Sequence, residues 1–386
     1  MNSKFVTLSL GIKKNKLDGL LIKLPDFSTT VMISTLNKFA AAPVLISKDN
    51  IKKSNSKYIF INSGNANACT GKEGVDNANS ILTLLSKQLH CKTSEILIMS
   101  TGIIGRQLPI SKILKSISKN SFNIYSPLRE AASSIITTDK FPKYLSKSYM
   151  IGSKKITFRG MCKGAGMIEP NMATMLGFIE TNVNIKKSLL KKYLKHCANL
   201  SFNSISVDGD MSTNDCLVLT STGKLDLDLS KNSILNSFLE YATDFFIKMS
   251  SLIVKDGEGA TKIIKLNIIN ADSIGLAQKI SRKISHSLLV KTAMYGEDPN
   301  WGRIIASLGS IKSPSIDVNK TKLFINKLLC FKNGVPKDDG SIKLKNSMKK
   351  NKIEITVDLD IGKHQQTLYF SDLSHEYVHI NSEYTT

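Results

Sequence analysis

Residues 58–102 read YIFINSGNANACTGKEGVDNANSILTLLSKQLHCKTSEILIMSTG. Tyr58-Ile59-Phe60-Ile61 is a short continuous apolar run that opens into Asn62-Ser63-Gly64-Asn65-Ala66-Asn67-Ala68-Cys69-Thr70-Gly71, which predicts a strand followed by a loop. From Asp76 to Leu89 apolar residues recur at i, i+3 and i+4, the spacing of an amphipathic helix. Glu95-Ile96-Leu97-Ile98-Met99 then predicts a second strand, opening into Ser100-Thr101-Gly102. Strand, helix and strand in succession are the grammar of a layered α/β protein. Further out, Lys186 to Leu200, Ser233 to Val254 and Ser273 to Leu289 carry the same helical period. Ile353 to Ile361 alternates as Ile-Glu-Ile-Thr-Val-Asp-Leu-Asp-Ile and predicts a half-buried strand, with the Lys-rich Lys345–Lys352 as a turn before it. There is no internal repeat and no low-complexity linker.

The chain has 386 residues, 41% hydrophobic and 22% charged, a globular composition that excludes wholesale disorder. No apolar run approaches the ~20 residues of a membrane helix, and the opening Met-Asn-Ser-Lys-Phe-Val has no secretory core, so a cytoplasmic protein without membrane contact is expected. Lys and Arg number 53 against 31 Asp and Glu, a formal net charge of +22. Only Arg106, Arg129, Arg159, Arg282 and Arg303 are arginine, whereas nucleic-acid sites favour Arg for bidentate contacts. Lys, Asn and Ile rising together read as drift towards A/T-rich codons, and no nucleic-acid partner is expected. The six cysteines (Cys69, Cys91, Cys162, Cys197, Cys216, Cys330) form no C-x-x-C, and the six histidines no H-E-x-x-H. No metal site is expected from them.

The densest special stretch is Lys163-Gly164-Ala165-Gly166-Met167-Ile168-Glu169-Pro170-Asn171-Met172-Ala173-Thr174-Met175-Leu176, running on into apolar residues, so that Thr174 falls at a loop-to-strand junction. Together with Ser100-Thr101-Gly102, Ile136-Thr137-Thr138-Asp139, Lys255-Asp256-Gly257-Glu258-Gly259-Ala260-Thr261 and the tail Val378–Thr386, it resembles the glutamate N-acetyltransferase family of arginine biosynthesis, also called ornithine acetyltransferases. The resemblance runs from about Gly11 to the last residue.

The resemblance implies that the Ala173-Thr174 bond is self-cleaved, giving an α subunit (1–173) and a β subunit (174–386), and that Thr174 is the nucleophile. Its freed α-amine, with a pKa near 7.7–8, can accept the hydroxyl proton during attack on an amide. By the same resemblance Thr101 and Gly102 form the oxyanion hole, where each donor is worth roughly 2.7–4 kcal/mol. Substrate binding is implied for Thr137 (or Thr138, one residue on), Lys163, Thr174, Glu258, Asn381 and Thr386. Lys163 suits an α-carboxylate and Glu258 an ammonium group. The implied reaction moves acetyl from N2-acetyl-L-ornithine to L-glutamate by a ping-pong route without a metal or organic cofactor, with acetyl-CoA a further candidate donor. The expected partners are these small molecules and the two fragments, in a higher oligomer of αβ pairs. The implied fold is an α/β sandwich like that of N-terminal-nucleophile amidases and aminopeptidases, with a smaller C-terminal α/β domain from about residue 280. An amidase or aminopeptidase of that fold is the alternative. Asp208-Gly209-Asp210-Met211-Ser212-Thr213-Asn214-Asp215 and Gly296–Arg303 also resemble the family; acidic Gly/Asn turns are more often structural, and they are read as such ahead of a pocket-shaping role.

Overall fold

The two apolar runs become neighbouring parallel strands, and they run on through residues 62–65 and 100–103. A computed structural model describes residues 2–169, 175–313, 315–338 and 340–383. In chain order the strands are β1 (Lys4–Leu8), β2 (Gly19–Lys23), β3 (Thr29–Ser34), β4 (Tyr58–Asn65), β5 (Ile96–Ile103), β6 (Lys143–Ile151), β7 (Lys154–Lys163) and β8 (Leu176–Val183). They continue with β9 (Ile205–Ser206), β10 (Cys216–Leu225), β11 (Ile263–Ala271), β12 (Lys322–Ile325), β13 (Leu328–Lys332), β14 (Val335–Pro336), β15 (Lys352–Asp358) and β16 (His364–Ser371). One compact unit takes in the chain up to Asn203 with Asp210–Ile253; the other takes in Ser204–Gly209 with Val254–Tyr384.

The first unit is built on two sheets, ordered β1-β2-β4-β5 and β3-β10-β8-β7-β6. Both faces of β4 and β5 are covered, which explains why Tyr58–Ile61 and Ile96–Met99 are continuous apolar runs and not alternating ones. Ile59, Ile61, Leu97 and Met99 face the other sheet's Met161, Phe178 and Val218. Tyr58, Phe60, Ile96 and Ile98 turn the other way, onto Ile81 and Leu85 of the helix Gly71–Gln88 and Ile113 and Ile117 of the helix Ile110–Ser118. Phe5 meets Phe178 edge-on across the sheets, ring centroids 6.2 Å apart. The second sheet's far face is covered by the helix Asn232–Lys255, whose Phe238 and Phe245 lie 5.7 and 5.6 Å from Phe158. The layers are therefore helix, sheet, sheet, helix, the expected α/β sandwich.

The second unit has a seven-stranded sheet, β14-β13-β12-β15-β11-β16-β9, with its core against the helices Ile274–Ser285, Leu288–Tyr295 and Trp301–Gly309. Three details correct the sequence reading. Apart from Ser204–Gly209, the unit takes up the chain at Val254 and not near 280, and β11, ahead of that point, lies between β15 and β16 at the centre of the sheet. The single helix expected over Ser273–Leu289 is two helices: the first closes at His286, and Ser287 caps the next, its hydroxyl accepting from the Val290 N–H at 3.3 Å. The turn expected over Lys345–Lys352 is confined to residues 349–351, because Lys345–Met348 end the helix Ile342–Met348, capped by Ser341 and buried through Leu344 and Met348. Among the described residues no helix is long and apolar enough to cross a membrane.

Candidate active site

Parallel pairing of β4 with β5 delivers Thr101 and Gly102 to the end of the first sheet. Ser63 pairs with Thr101 and Gly64 with Gly102, and the register shifts at Gly64/Asn65. The extension past the apolar run is held by polar groups that are themselves buried. Ser100 Oγ donates to Asn62 Oδ1 at 2.5 Å, and Ser63 Oγ to the Ser134 carbonyl at 2.7 Å. Gly102 has φ +133°, and a Cβ built there would stand 2.3 Å from the Gly64 carbonyl carbon, so no side chain fits.

Thr101 is buried, and its hydroxyl oxygen accepts from Lys163 Nζ at 3.1 Å. Lys163 is the last residue of β7, and the next backbone N–H, of Gly164, donates to Asp139 Oδ1 at 2.8 Å. The same carboxylate accepts from the Thr137 N–H at 2.9 Å and from Lys143 Nζ at 2.6 Å, in an ion pair wholly shielded from solvent. Burial alone would raise the Asp139 pKa. The ammonium groups of Lys163 and Lys143 and the hydrogen bonds from Lys143 and Thr137 outweigh it, holding the carboxyl well below the usual range. Lys13 Nζ closes this side by donating to the Ile136 carbonyl at 3.0 Å, its pKa lowered chiefly by burial. The first unit thus gathers Thr101, Gly102, Thr137 and Lys163 around one buried carboxylate.

In the second unit Glu258 and Asn381 meet directly, Asn381 Nδ2 donating to Glu258 Oε2 at 3.0 Å. Glu258 lies between two glycines. Gly259 has φ +68°, and a Cβ there would come within 2.4 Å of the Tyr377 nitrogen, so the turn and the C-terminal helix His375–Glu383 pack backbone to backbone. Ser374 Oγ secures them by donating to the Gly259 carbonyl at 2.6 Å. Ala173, Thr174 and Thr386 lie outside the described residues.

Sequence reasoning alone misses Asp139, Lys143 and Asn214 as site-builders. Asp139 closes the Thr-Thr-Asp stretch, yet nothing local says that its carboxylate meets Gly164. Asn214 reads as part of a turn; it is buried, and Nδ2 donates to the carbonyls of Ala66 at 2.6 Å and Ser100 at 2.9 Å, tying a second loop to the residue before Thr101. Among the described residues no three His, Cys, Asp or Glu side chains gather as a metal-holding group.

A helix–sheet–sheet–helix sandwich that brings a threonine hydroxyl and a lysine ammonium together at its strand ends, beside a glycine, is a layered α/β scaffold furnished to hold an anionic group. The chain belongs to the ArgJ family, whose model matches residues 4–386. It is 38% identical to the arginine biosynthesis bifunctional protein ArgJ of Caldanaerobacter subterraneus subsp. tengcongensis, over 97% of this chain and 95% of that one. It is 39% identical to the mitochondrial protein of the same description from Lodderomyces elongisporus, over 92% of this chain and 86% of that one. Among solved structures, that of the arginine biosynthesis bifunctional protein ArgJ from Bacillus halodurans is 32% identical, covering 55% of this chain and 100% of that chain with a TM-score of 0.52. Family membership agrees with the resemblance carried by residues 163–176 and favours it over the amidase alternative.

Proposed function

We propose that the chain is a self-processing acetyltransferase that moves acetyl from N2-acetyl-L-ornithine to L-glutamate. The observation that carries the reading is the convergence of Lys163 on Thr101, next to Gly102 and tied through Asp139 to Thr137, within a chain of the ArgJ family. In maturation, Thr174 Oγ attacks the Ala173 carbonyl carbon. The C–N bond breaks, the hydroxyl proton ends on the departing nitrogen, and water opens the resulting ester to leave an Ala173 carboxylate and a Thr174 with both hydroxyl and α-amine free. The fragments 1–173 and 174–386 stay together, and pairs of them assemble further.

In turnover the Thr174 hydroxyl attacks the acetyl carbonyl of acetylornithine, its proton passing to the α-amine. The tetrahedral oxyanion is met by the Thr101 hydroxyl and the Gly102 N–H. Collapse expels ornithine, which takes the proton, and leaves acetyl-Thr174. Glutamate then attacks the ester and departs as N-acetylglutamate. Lys163 meets the α-carboxylate that both amino acids share, Glu258 meets an ammonium group, and Thr137, Asn381 and Thr386 are the further substrate ligands that the family resemblance implies. Hydroxyl and amine supply all the acid–base chemistry, so neither metal nor organic cofactor is required; acetyl-CoA is a candidate second donor. The site of action is the cytoplasm.

Ornithine release measured with and without glutamate tests this reading. Release that depends on glutamate and yields stoichiometric N-acetylglutamate is expected; release at equal rates in its absence would mean that water is the acceptor and the enzyme an amidase.

A further inference from the structure

The loop Met211–Asp215, a turn by its sequence, grips the chain on both sides of residues 169–174. Ile168 forms an isolated antiparallel bridge with Met211. Met175 is held twice: its carbonyl accepts from the Cys216 N–H at 2.9 Å, and its N–H donates to the Asp215 carboxyl. The loop is itself rigidly seated. The Thr213 carbonyl accepts from the Ala41 N–H at 2.9 Å, the Asp215 carbonyl from the Thr35 N–H at 3.0 Å, and the Ser212 carbonyl from Thr35 Oγ1 at 2.8 Å. Asn214 binds it to the strand end that presents Thr101.

Asp215 is only 2% exposed, and among the described residues its Oδ2 has no hydrogen-bond partner. Burial pushes the carboxyl well above its usual pKa, against the pull of the Ser212 side chain, the Lys163 ammonium and the Met175 N–H. A buried acid with one oxygen unsatisfied costs stability that an apolar residue of its size would not. The backbone group it holds accounts for its presence.

We infer that Asp215 is a positioning residue for self-cleavage: by accepting the Met175 N–H it fixes the backbone immediately after the Ala173-Thr174 bond. The inference rests on the proposed role of Thr174. Attack by a hydroxyl on the carbonyl of its own peptide bond has little freedom, and a misplacement of about 1 Å at a reacting centre is worth on the order of 10²-fold in rate. The carboxyl acts here as an acceptor, so an amide oxygen in its place performs the same task.

The full chain, made in a cell-free system and quenched at intervals for intact-mass measurement, tests this with Asp215→Ala, Asp215→Val, Asp215→Asn and a core control, Ile280→Ala, in the second unit. Asp215→Val fills the space that alanine leaves empty and keeps the test open if the alanine variant does not fold. Expected are processing slowed on the order of 10²-fold in the Ala and Val variants, a rate close to wild type in the Asn variant, and no slowing in Ile280→Ala despite its lower Tm. Wild-type rates in the Ala and Val variants, slowing by Asn equal to that by Ala, or equal slowing by Ile280→Ala would each overturn it. A wild-type chain that stays whole would overturn the Thr174 reading and this inference with it.

Discussion

Asp139 shows how much one side chain settles here, because its carboxylate joins Thr137, Lys143 and Gly164, residues with no local reason to meet. Its folded-state pKa is depressed, so it contributes stability that is present above the unfolded value of about 3.9 and is lost as pH falls below it. Asp139→Asn keeps an acceptor for only one of the two N–H groups, which bond to different oxygens, and leaves the Lys143 ammonium buried without its counter-charge. Loss of about 3–5 kcal/mol at neutral pH is expected, with a shallower fall in Tm between about pH 4 and pH 2; unchanged melting and an unchanged acid limb would contradict the pairing. The meeting of Lys163 with Thr101 joins two stretches that the family resemblance already singles out in the sequence. Asp139 and Asn214 are not legible there as site-builders, since their partners lie far along the chain and short polar side chains in loops look alike whether they shape a turn or a site.

At the scale of elements, alternation and helical period place the strands of the first unit and most of the helices. Such reading fails where polar residues extend a strand: Asn62–Asn65 and Ser100–Gly102 look like loops, yet they pair with each other and satisfy their side chains inside the protein. It fails again at Ser287, where a cap divides one helical pattern into two helices. The helix Leu288–Tyr295 carries a feature that its sequence conceals, a lysine 3% exposed. Lys291 Nζ donates to the Val207 carbonyl at 2.8 Å and also to the Ser371 carbonyl, which ties β16 to the segment after β9. Burial lowers its pKa to about 8, against the pull of Asp208 and Asp372. The unfolded chain therefore binds more protons than the folded one between about pH 8 and pH 10.4, and this group makes stability rise with pH across that window. Lys291→Met is expected to abolish that rise and, by orphaning buried carbonyls, to cost about 1–3 kcal/mol at pH 7. Chemical denaturation at pH 7, 8, 9 and 10 checks both, and an unaltered pH slope would refute the assignment.

Taken as a whole molecule, the chain combines a sandwich whose core is ordinary with a charge that is not. The net +22 is carried by 48 lysines against five arginines, and the two residues that the site uses most, Lys163 and Lys143, owe their roles to position and not to the excess. Family membership spans both compact units, while the proposed cleavage, between residues 173 and 174, falls inside the first. That division is anticipated by the stretch 163–176 alone and is the central claim. Intact mass under denaturing conditions, on wild type and Thr174→Ala, tests it most directly. Two fragments meeting between Ala173 and Thr174 in the wild type, with an uncut and inactive variant, are predicted. A single full-length species that still makes N-acetylglutamate would contradict the account, because the α-amine on which Thr174 relies would never have been released.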